Sequence, residues 1–190
     1  MNKFVTFSID KNDSYCYEKT IANTKLIGAA YYKGWKSCVC VGSDAPQEYI
    51  QQLAKTADRL IFINHNNASL MLEKLFPVFE EHVECFVSRS CDSIISFKES
   101  RLIESWIEGE KQLCLIREEA SESIDIRVNI FGAKQTISRL VQSQLQNIYN
   151  NRTTNLNVIL KNFTINIAIH FFLTTYHEGS IYIFWTSKEF

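Results

Sequence analysis

Residues 85–107 open with Cys85-Phe86-Val87 and run on through Ser88-Arg89-Ser90-Cys91-Asp92-Ser93. They then read Ser96-Phe97-Lys98-Glu99 before Leu102, Ile103, Trp106 and Ile107. A short apolar run that ends in a polar cluster is the pattern of a buried strand emerging at its carboxyl end. A serine followed three residues later by a glutamate has the capping-box form, in which each side chain satisfies a backbone N–H at the helix start. The apolar residues at 102, 103, 106 and 107 then repeat with the helical period and mark one buried face. The stretch therefore reads as strand, polar loop and capped helix.

The same alternation extends outward on both sides. Val5 to Ile9 reads as a strand, and Ile21, Ala22, Leu26, Ala29 and Ala30 place a helix over about Tyr17 to Tyr31, which Lys33-Gly34-Trp35 breaks. Ser37 to Val41 is a second strand. Asp44-Ala45-Pro46-Gln47 predicts a helix start with Asp44 as its cap, burying Tyr49, Ile50, Leu53 and Ala54. Leu60 to Ile63 is a third strand, followed by a helical stretch through Leu70, Leu72, Leu75 and Phe76. Downstream, Leu113 to Ile116 is a strand, Ile124 to Phe131 is extended, and Ile137 to Ile148 carries helical spacing. Strands alternating with helices at these intervals predict an α/β fold, with a mostly parallel central sheet between helical layers.

The composition shifts near Asn150. Residues 1–150 form the predicted α/β domain. Residues 151–190 are rich in asparagine and threonine and poor in charge, with a strand-like alternation at Phe163, Ile165, Ile167, Ile169 and Phe171 and a short apolar run at Ile181 to Trp185. They read as an atypical, β-prone tail, either an added hairpin or a segment foreign to the domain.

Whole-chain arithmetic bounds the function. The 190 residues carry 20 Lys plus Arg against 21 Asp plus Glu, a net charge of -1, which excludes a broad basic footprint for nucleic acid. The most apolar tract, Leu156 to Leu173, is interrupted by Asn157, Lys161, Asn162, Asn166 and His170, so no transmembrane segment is expected. Without a secretion signal the expected location is the cytoplasm. None of the six cysteines forms a CxxC pair, so they are expected to be buried reduced thiols. His65, His82, His170 and His177 have no partners at ligand spacing and read as surface or loop residues.

In open α/β sheets, ligands bind beyond the carboxyl ends of the strands. Ser88 to Ser93 concentrates an arginine, a carboxylate and three serine hydroxyls at such an end. Arg89 offers a fork of donors that suits a diphosphate. Asp92 suits a hard divalent cation bridging phosphate oxygens. The competing reading is a polar loop closed by an Asx turn. Ser8, at the end of the first strand, opens on the same crevice, where it could meet a base or ribose. Trp106 shares a face with Leu102 and Ile103, which makes it core rather than a sugar platform. Helix capping accounts for Lys98 and Glu99.

Ser88 to Gly109 resembles a family of glycosyltransferase-like proteins found in polysaccharide-synthesis clusters and large DNA viruses. Members carry Arg-Asp-x-Asp-Ser at a strand end, then Arg-Glu, then a helix with a Trp. Further pieces fall in the same order: Phe7-Ser8, Tyr15-Cys16, Ile21 and Asn23 in the opening strand and first helix, and Tyr32-Lys33-Gly34-Trp35 for the family's Tyr-Pro-Gly-Trp turn. Ile116-Arg117-Glu118 stands where Met-Arg-Asp-His-Pro is usual, and Phe131-Gly132-Ala133-Lys134 where Met-Trp-Gly-Ala-Lys is. The resemblance covers about residues 4 to 149. It implies a GT-A-like nucleotide-sugar-binding α/β/α sandwich and a metal-dependent transfer of a hexose from a nucleoside-diphosphate sugar to a glycan or lipid-linked acceptor, with Mn or Mg. Carried over residue by residue, it implies Ser8, Arg89, Ser90 and Asp92 as donor-binding groups, Asp92 as the metal ligand, and Arg117 and Glu118 on the catalytic or acceptor side.

The sequence also departs from that family. Ser90 replaces the first aspartate of the Asp-x-Asp pair, and Arg117-Glu118-Glu119-Ala120 lacks the histidine of the later block. The family's Asp-Gln-x-Phe-Leu and terminal His-Asp motifs are missing from residues 150–190, which suggests a reading-frame slip or truncation where the resemblance stops. Three readings follow: an active glycosyltransferase, a catalytically degraded homologue that keeps only nucleotide or sugar binding, and a plain α/β interaction module.

Overall fold

A computed structural model describes residues 2–9, 13–63, 82–110, 113–117, 130–134 and 182–185. In chain order the elements are β1 (Asn2–Ile9), α1 (Ser14–Leu26), β2 (Lys36–Gly42), α2 (Gln47–Thr56), β3 (Arg59–Ile63), β4 (Val83–Arg89), α3 (Phe97–Glu108), β5 (Leu113–Arg117), β6 (Ile130–Lys134) and β7 (Tyr182–Trp185). The expected helical stretches around residues 70–76 and 137–148, and the strand-like alternation at 163–171, lie outside the described residues.

The strands form a seven-stranded sheet in the order β3-β2-β1-β4-β6-β5-β7. The pairs β1–β2, β1–β4, β2–β3 and β5–β7 are parallel. Only β6, slotted between β4 and β5, runs against its neighbours. The sheet is mostly parallel, as the alternation of elements predicted. β1, β2 and β4 are runs of apolar and small residues because both of their faces are covered, whereas β3 at the edge leaves Phe62 exposed. In β1, Val5 and Phe7 are fully buried on one face and Thr6 is fully buried on the other.

One face carries Val5, Phe7, Ile9, Val39, Val41, Cys85, Val87, Cys114, Ile116 and Ile130, packed against Cys16, Tyr17 and Ile21 of α1, Leu53 of α2 and Ile103 and Trp106 of α3. The Tyr17 and Tyr49 rings stack at 4.6 Å and join α1 to α2. Trp106 is wholly buried, which settles it as core. It lies over Gly132, where a Cβ would meet two atoms of the indole ring at 3.0 Å. Lys134, two residues on, donates from Nζ to the carbonyls of Ile107 and Gly109. A cation there closes the carboxyl end of α3, where unpaired carbonyls and the helix dipole favour positive charge. The Gly132-Ala133-Lys134 run thus has a packing reason: room for a tryptophan, then a cap for its helix.

Two boundaries differ from the sequence reading. α1 stops at Leu26 although the apolar spacing continues through Ala29 and Ala30, because Gly28 turns into the left-handed region at φ 77°. Asp44 is not the cap of α2. That helix begins at Gln47, the cap position is Pro46, and no side chain bonds the helix start. Pro46 fixes its own φ near the helical value, so the chain enters the helix directly at the next residue.

Candidate active site

All the strands that carry candidate residues, β1, β4 and β5, run the same way, so their carboxyl ends share one edge of the sheet. The register sets the spacing along it. Phe7 is level with Arg89, Arg89 with Ile130, and Ile130 with Ile116. Ser8 and Arg117 therefore lie one residue beyond that row. β6 separates β4 from β5, which holds the ends of those two strands roughly 10 Å apart. β2 and β3 continue from β1 on one side and β4 on the other, so the connection reverses between β1 and β4. That reversal is where open α/β sheets form a ligand crevice, and the Ser90–Ser96 loop leaves β4 beside it.

The loop is built around Arg89, the last residue of β4, which is only 2% exposed. Arg89 donates from Nε to Glu99 Oε1 at 2.8 Å and from Nη2 to Glu99 Oε2 at 2.9 Å. Its Nη1 donates to the carbonyls of Ser90 at 3.2 Å and Ser93 at 2.7 Å, and Nη2 also reaches Ser93 Oγ at 3.2 Å. A guanidinium has five N–H donors, and these contacts use all of them. Arg89 is therefore the internal brace of the loop. A diphosphate could take its fork only by displacing Glu99 or a loop carbonyl.

Glu99 completes the brace. Ser96 Oγ accepts from the Glu99 N–H at 3.1 Å, so the serine half of the capping box forms. The carboxylate faces Arg89 instead of the helix start, and it also accepts the Tyr32 hydroxyl at 2.6 Å. Burial first, and the adjacent Glu99 carboxylate second, push the Tyr32 hydroxyl well above its ordinary value. Tyr32 thus stays a neutral donor. A buried charge pair needs this degree of hydrogen bonding to offset the cost of leaving water.

A second clamp comes from α1. Asn23 is fully buried, donates from Nδ2 to the Ser93 carbonyl at 2.9 Å, and accepts the Ile95 N–H at Oδ1, 2.8 Å away. In the sequence only the family resemblance singles out Asn23. Its signal was an asparagine one position from the apolar stripe of α1. Tyr15, half exposed in the first turn of α1, donates its hydroxyl to the Asp92 carbonyl at 3.2 Å. Cys16, the next residue, brings its sulfur to 2.9 Å from that of Cys91.

These clamps leave Asp92 with its side chain exposed at the tip of the loop, and Ser90 half-buried beside it. The carboxylate that neutralises the buried guanidinium is Glu99, so Asp92 is not spent on Arg89. Ser8 is at the same edge, but its side chain belongs to the opposite face of the sheet from Arg89, with Thr6 and Ser88. Arg117 ends β5 on that edge. Glu118 lies outside the described residues. Ile94 and Phe97, both exposed, flank the loop on the side of α3. A recess of about 620 Å³ lies elsewhere, between α1 and α2, lined by Glu18, Lys25, Glu48 and Tyr49 among others, and contains none of the candidate residues.

For a divalent cation the described residues offer little beyond Asp92. Among the described residues, no three His, Cys, Asp or Glu side chains converge as a ligand set. A magnesium-like ion that keeps several waters and shares phosphate oxygens needs only one or two carboxylates, and Asp92 with Ser90 nearby can supply one carboxylate and a hydroxyl. Among the described residues, no helix is long and apolar enough to cross a membrane.

No protein-family model matches the sequence. No curated protein matches it either. Solved structures do resemble the fold. TarS residues 1–349 from S. aureus align with a TM-score of 0.53 at 9% identity, over 75% of this chain and 49% of that one. The apo form of the glycosyltransferase GlyE from Streptococcus pneumoniae aligns at 0.51 and 15% identity, over 86% of this chain and 43% of that one. The 4-diphosphocytidyl-2C-methyl-D-erythritol synthase from Anaerococcus prevotii aligns at 0.52 and 8% identity, over 86% and 83%. The chain spans a little under half the length of the first two. At these identities the likeness shows the fold alone, a mostly parallel α/β sheet.

Proposed function

We propose that this chain binds a nucleoside-diphosphate sugar at the β1–β4 crevice and transfers its hexose to a glycan or lipid-linked acceptor, with the candidate residues all within 1–150 and Tyr182–Trp185 of the later segment adding a strand to the same sheet. The observation that carries this reading is the position of Asp92: an exposed carboxylate at the loop tip, beside the switch point of the sheet, on a loop braced from below by Arg89–Glu99 and from the side by Asn23. The reading is supported by structural likeness to a glycosyltransferase and to a synthase of a diphosphocytidyl compound.

Within this reading each group has a stated task. Asp92 and Ser90 hold the diphosphate end of the donor, Ser8 meets the base or ribose, and Arg117 and Glu118 serve the acceptor side. Arg89 keeps the loop in shape from beneath it. A Mn or Mg ion held by Asp92 would supply positive charge to a departing diphosphate. The loop's rigidity keeps Asp92 in place without reorganisation, which is how a fixed polar site favours charge that develops during reaction.

The substitution at Ser90 and the commitment of every Arg89 donor to the protein favour a second reading, a homologue that binds nucleotide without turning it over. Thermal stabilisation by uridine or guanosine diphosphate with manganese tests binding, since a ligand bound only by the folded state must raise its stability. Asp92→Ala should remove that metal-dependent stabilisation and leave the fold intact; unchanged affinity in this variant disposes of the site. Hydrolysis of nucleotide-sugars by the unsubstituted chain separates the active reading from the binding-only one. No stabilisation by either nucleotide leaves the plain interaction module.

A further inference from the structure

We propose that Cys16 and Cys91 form a reversible disulfide that ties the first turn of α1 to the loop following β4. The two sulfurs are 2.9 Å apart, within about an ångström of the ~2.05 Å of a disulfide bond. They belong to segments 75 residues apart in sequence, so nothing local forces the approach. The approach is held on both sides. The Tyr15 hydroxyl donates to the carbonyl of Asp92, one residue from each cysteine, and Asn23 bonds Ser93 and Ile95 further along the same loop. Ordering the loop against α1 therefore sets the two thiols side by side before any oxidation.

The other four thiols differ. Cys38 and Cys40 share one strand and one sheet face, where a hydrogen bond from Cys40 draws the Cys38 thiol below its ordinary value, but they are closed off at 1% and 0% exposure; Cys85 and Cys114 sit under helices at 1% and 0%. Burial pushes the Cys85 and Cys114 thiols up to about 12, which keeps them protonated and inert. Cys16 and Cys91 keep a small exposed fraction, 7% each, at the carboxyl edge of the sheet.

The step balances with a small-molecule disulfide such as oxidised glutathione. One cysteine sulfur attacks it and expels one small thiol; the second cysteine attacks the mixed disulfide and expels the other. The protein loses two S–H bonds and gains one S–S bond, and the small disulfide is reduced to two thiols. A reducing thiol in excess reverses both steps.

The test uses the full chain, with oxidised glutathione as the probe. After incubation under native conditions, remaining thiols are alkylated in denaturant and the chain is digested and mapped by mass spectrometry. The expected result is a drop from six alkylated thiols to four, with Cys16 and Cys91 in one cross-linked peptide and recovery of all six after dithiothreitol. Cys91→Ser and Cys16→Ser should each abolish that peptide without creating another pair. Six alkylated thiols after oxidation overturn the proposal. So does a stable glutathione adduct on either residue, or a dominant link between Cys38 and Cys40. The outcome is independent of whether a nucleotide binds.

Discussion

Glu99→Ala is the substitution whose effect follows most directly from the structure. It strands the Arg89 guanidinium, which is 2% exposed, without a counter-charge, and it deprives the Tyr32 hydroxyl of its acceptor at 2.6 Å. Removing one member of a buried ion pair costs about 3–5 kcal/mol, and a buried hydroxyl left without a partner adds about 1 kcal/mol or more. A loss of about 5 kcal/mol is comparable to the whole stability of many domains, roughly 5–15 kcal/mol. Glu99→Ala should therefore be marginally folded, and Glu99→Gln, which keeps shape and one acceptor, should lose less. Arg89→Met alone should also be costly, because it frees Glu99 and unties the carbonyls of Ser90 and Ser93. The double variant Arg89→Met/Glu99→Leu removes both charges and should be more stable than the sum of the single losses predicts, by at least about 2 kcal/mol. Urea titrations read this out as midpoint shifts at constant slope. Single losses below about 1 kcal/mol, or strict additivity in the double variant, would refute the view that the pair is a closed buried unit supporting the loop.

Further outcomes follow from other contacts. Asn23→Ala should cost about 2–3 kcal/mol by leaving the Ser93 carbonyl and Ile95 N–H buried without partners, and the Ile95 amide should lose protection in hydrogen exchange; full protection in the variant counts against the clamp. Gly132→Ala should cost about 1–3 kcal/mol because the added methyl meets the Trp106 ring at 3.0 Å, a loss that a thermal melt detects and that an unshifted melt contradicts. The chain should lose stability in alkali: the folded state holds the Cys85 and Cys114 thiols up to about 12 against an ordinary 9.0, so above about pH 9 the unfolded chain binds fewer protons and stability falls as pH rises towards 12. The slope is up to about 1.4 kcal/mol per pH unit for each thiol, and Cys114→Ala should flatten it; urea midpoints that match at pH 8 and pH 10 would contradict the assignment.

The strands were legible because each of β1 to β5 is a short apolar run bounded by polar or turn residues, the form that a strand covered on both faces takes in β1, β2 and β4. α3 was legible from its spacing at 102, 103, 106 and 107 and from Ser96. What the sequence hid were relations between distant residues. Glu99 has the spacing of a capping partner, and only the fold reveals that Arg89, ten positions earlier, claims its carboxylate. Asn23 looks like a tolerated polar residue on a helix until the loop arrives from 70 residues away. The insertion of β6 between β4 and β5 leaves no trace in local periodicity, since direction and neighbour are decided by the connections. Gly28 ended α1 where Ala29 and Ala30 kept its pattern going, a case of backbone conformation overruling side-chain spacing. Asp92 was legible as the carboxylate of a polar cluster following a strand, and the structure adds its exposure and the brace beneath it.

The contact between Trp106 and Gly132 divides a fixed volume between a helix and a strand that lie 26 positions apart in the chain. Growth of either partner presses on the other, so substitutions at the two positions should be coupled in their effect on stability. In descendants of this chain a smaller ring at 106 is the licence for a methyl at 132. A chain that keeps the indole gives up stability for any methyl opposite it, whatever becomes of the chemistry at the far edge of the sheet.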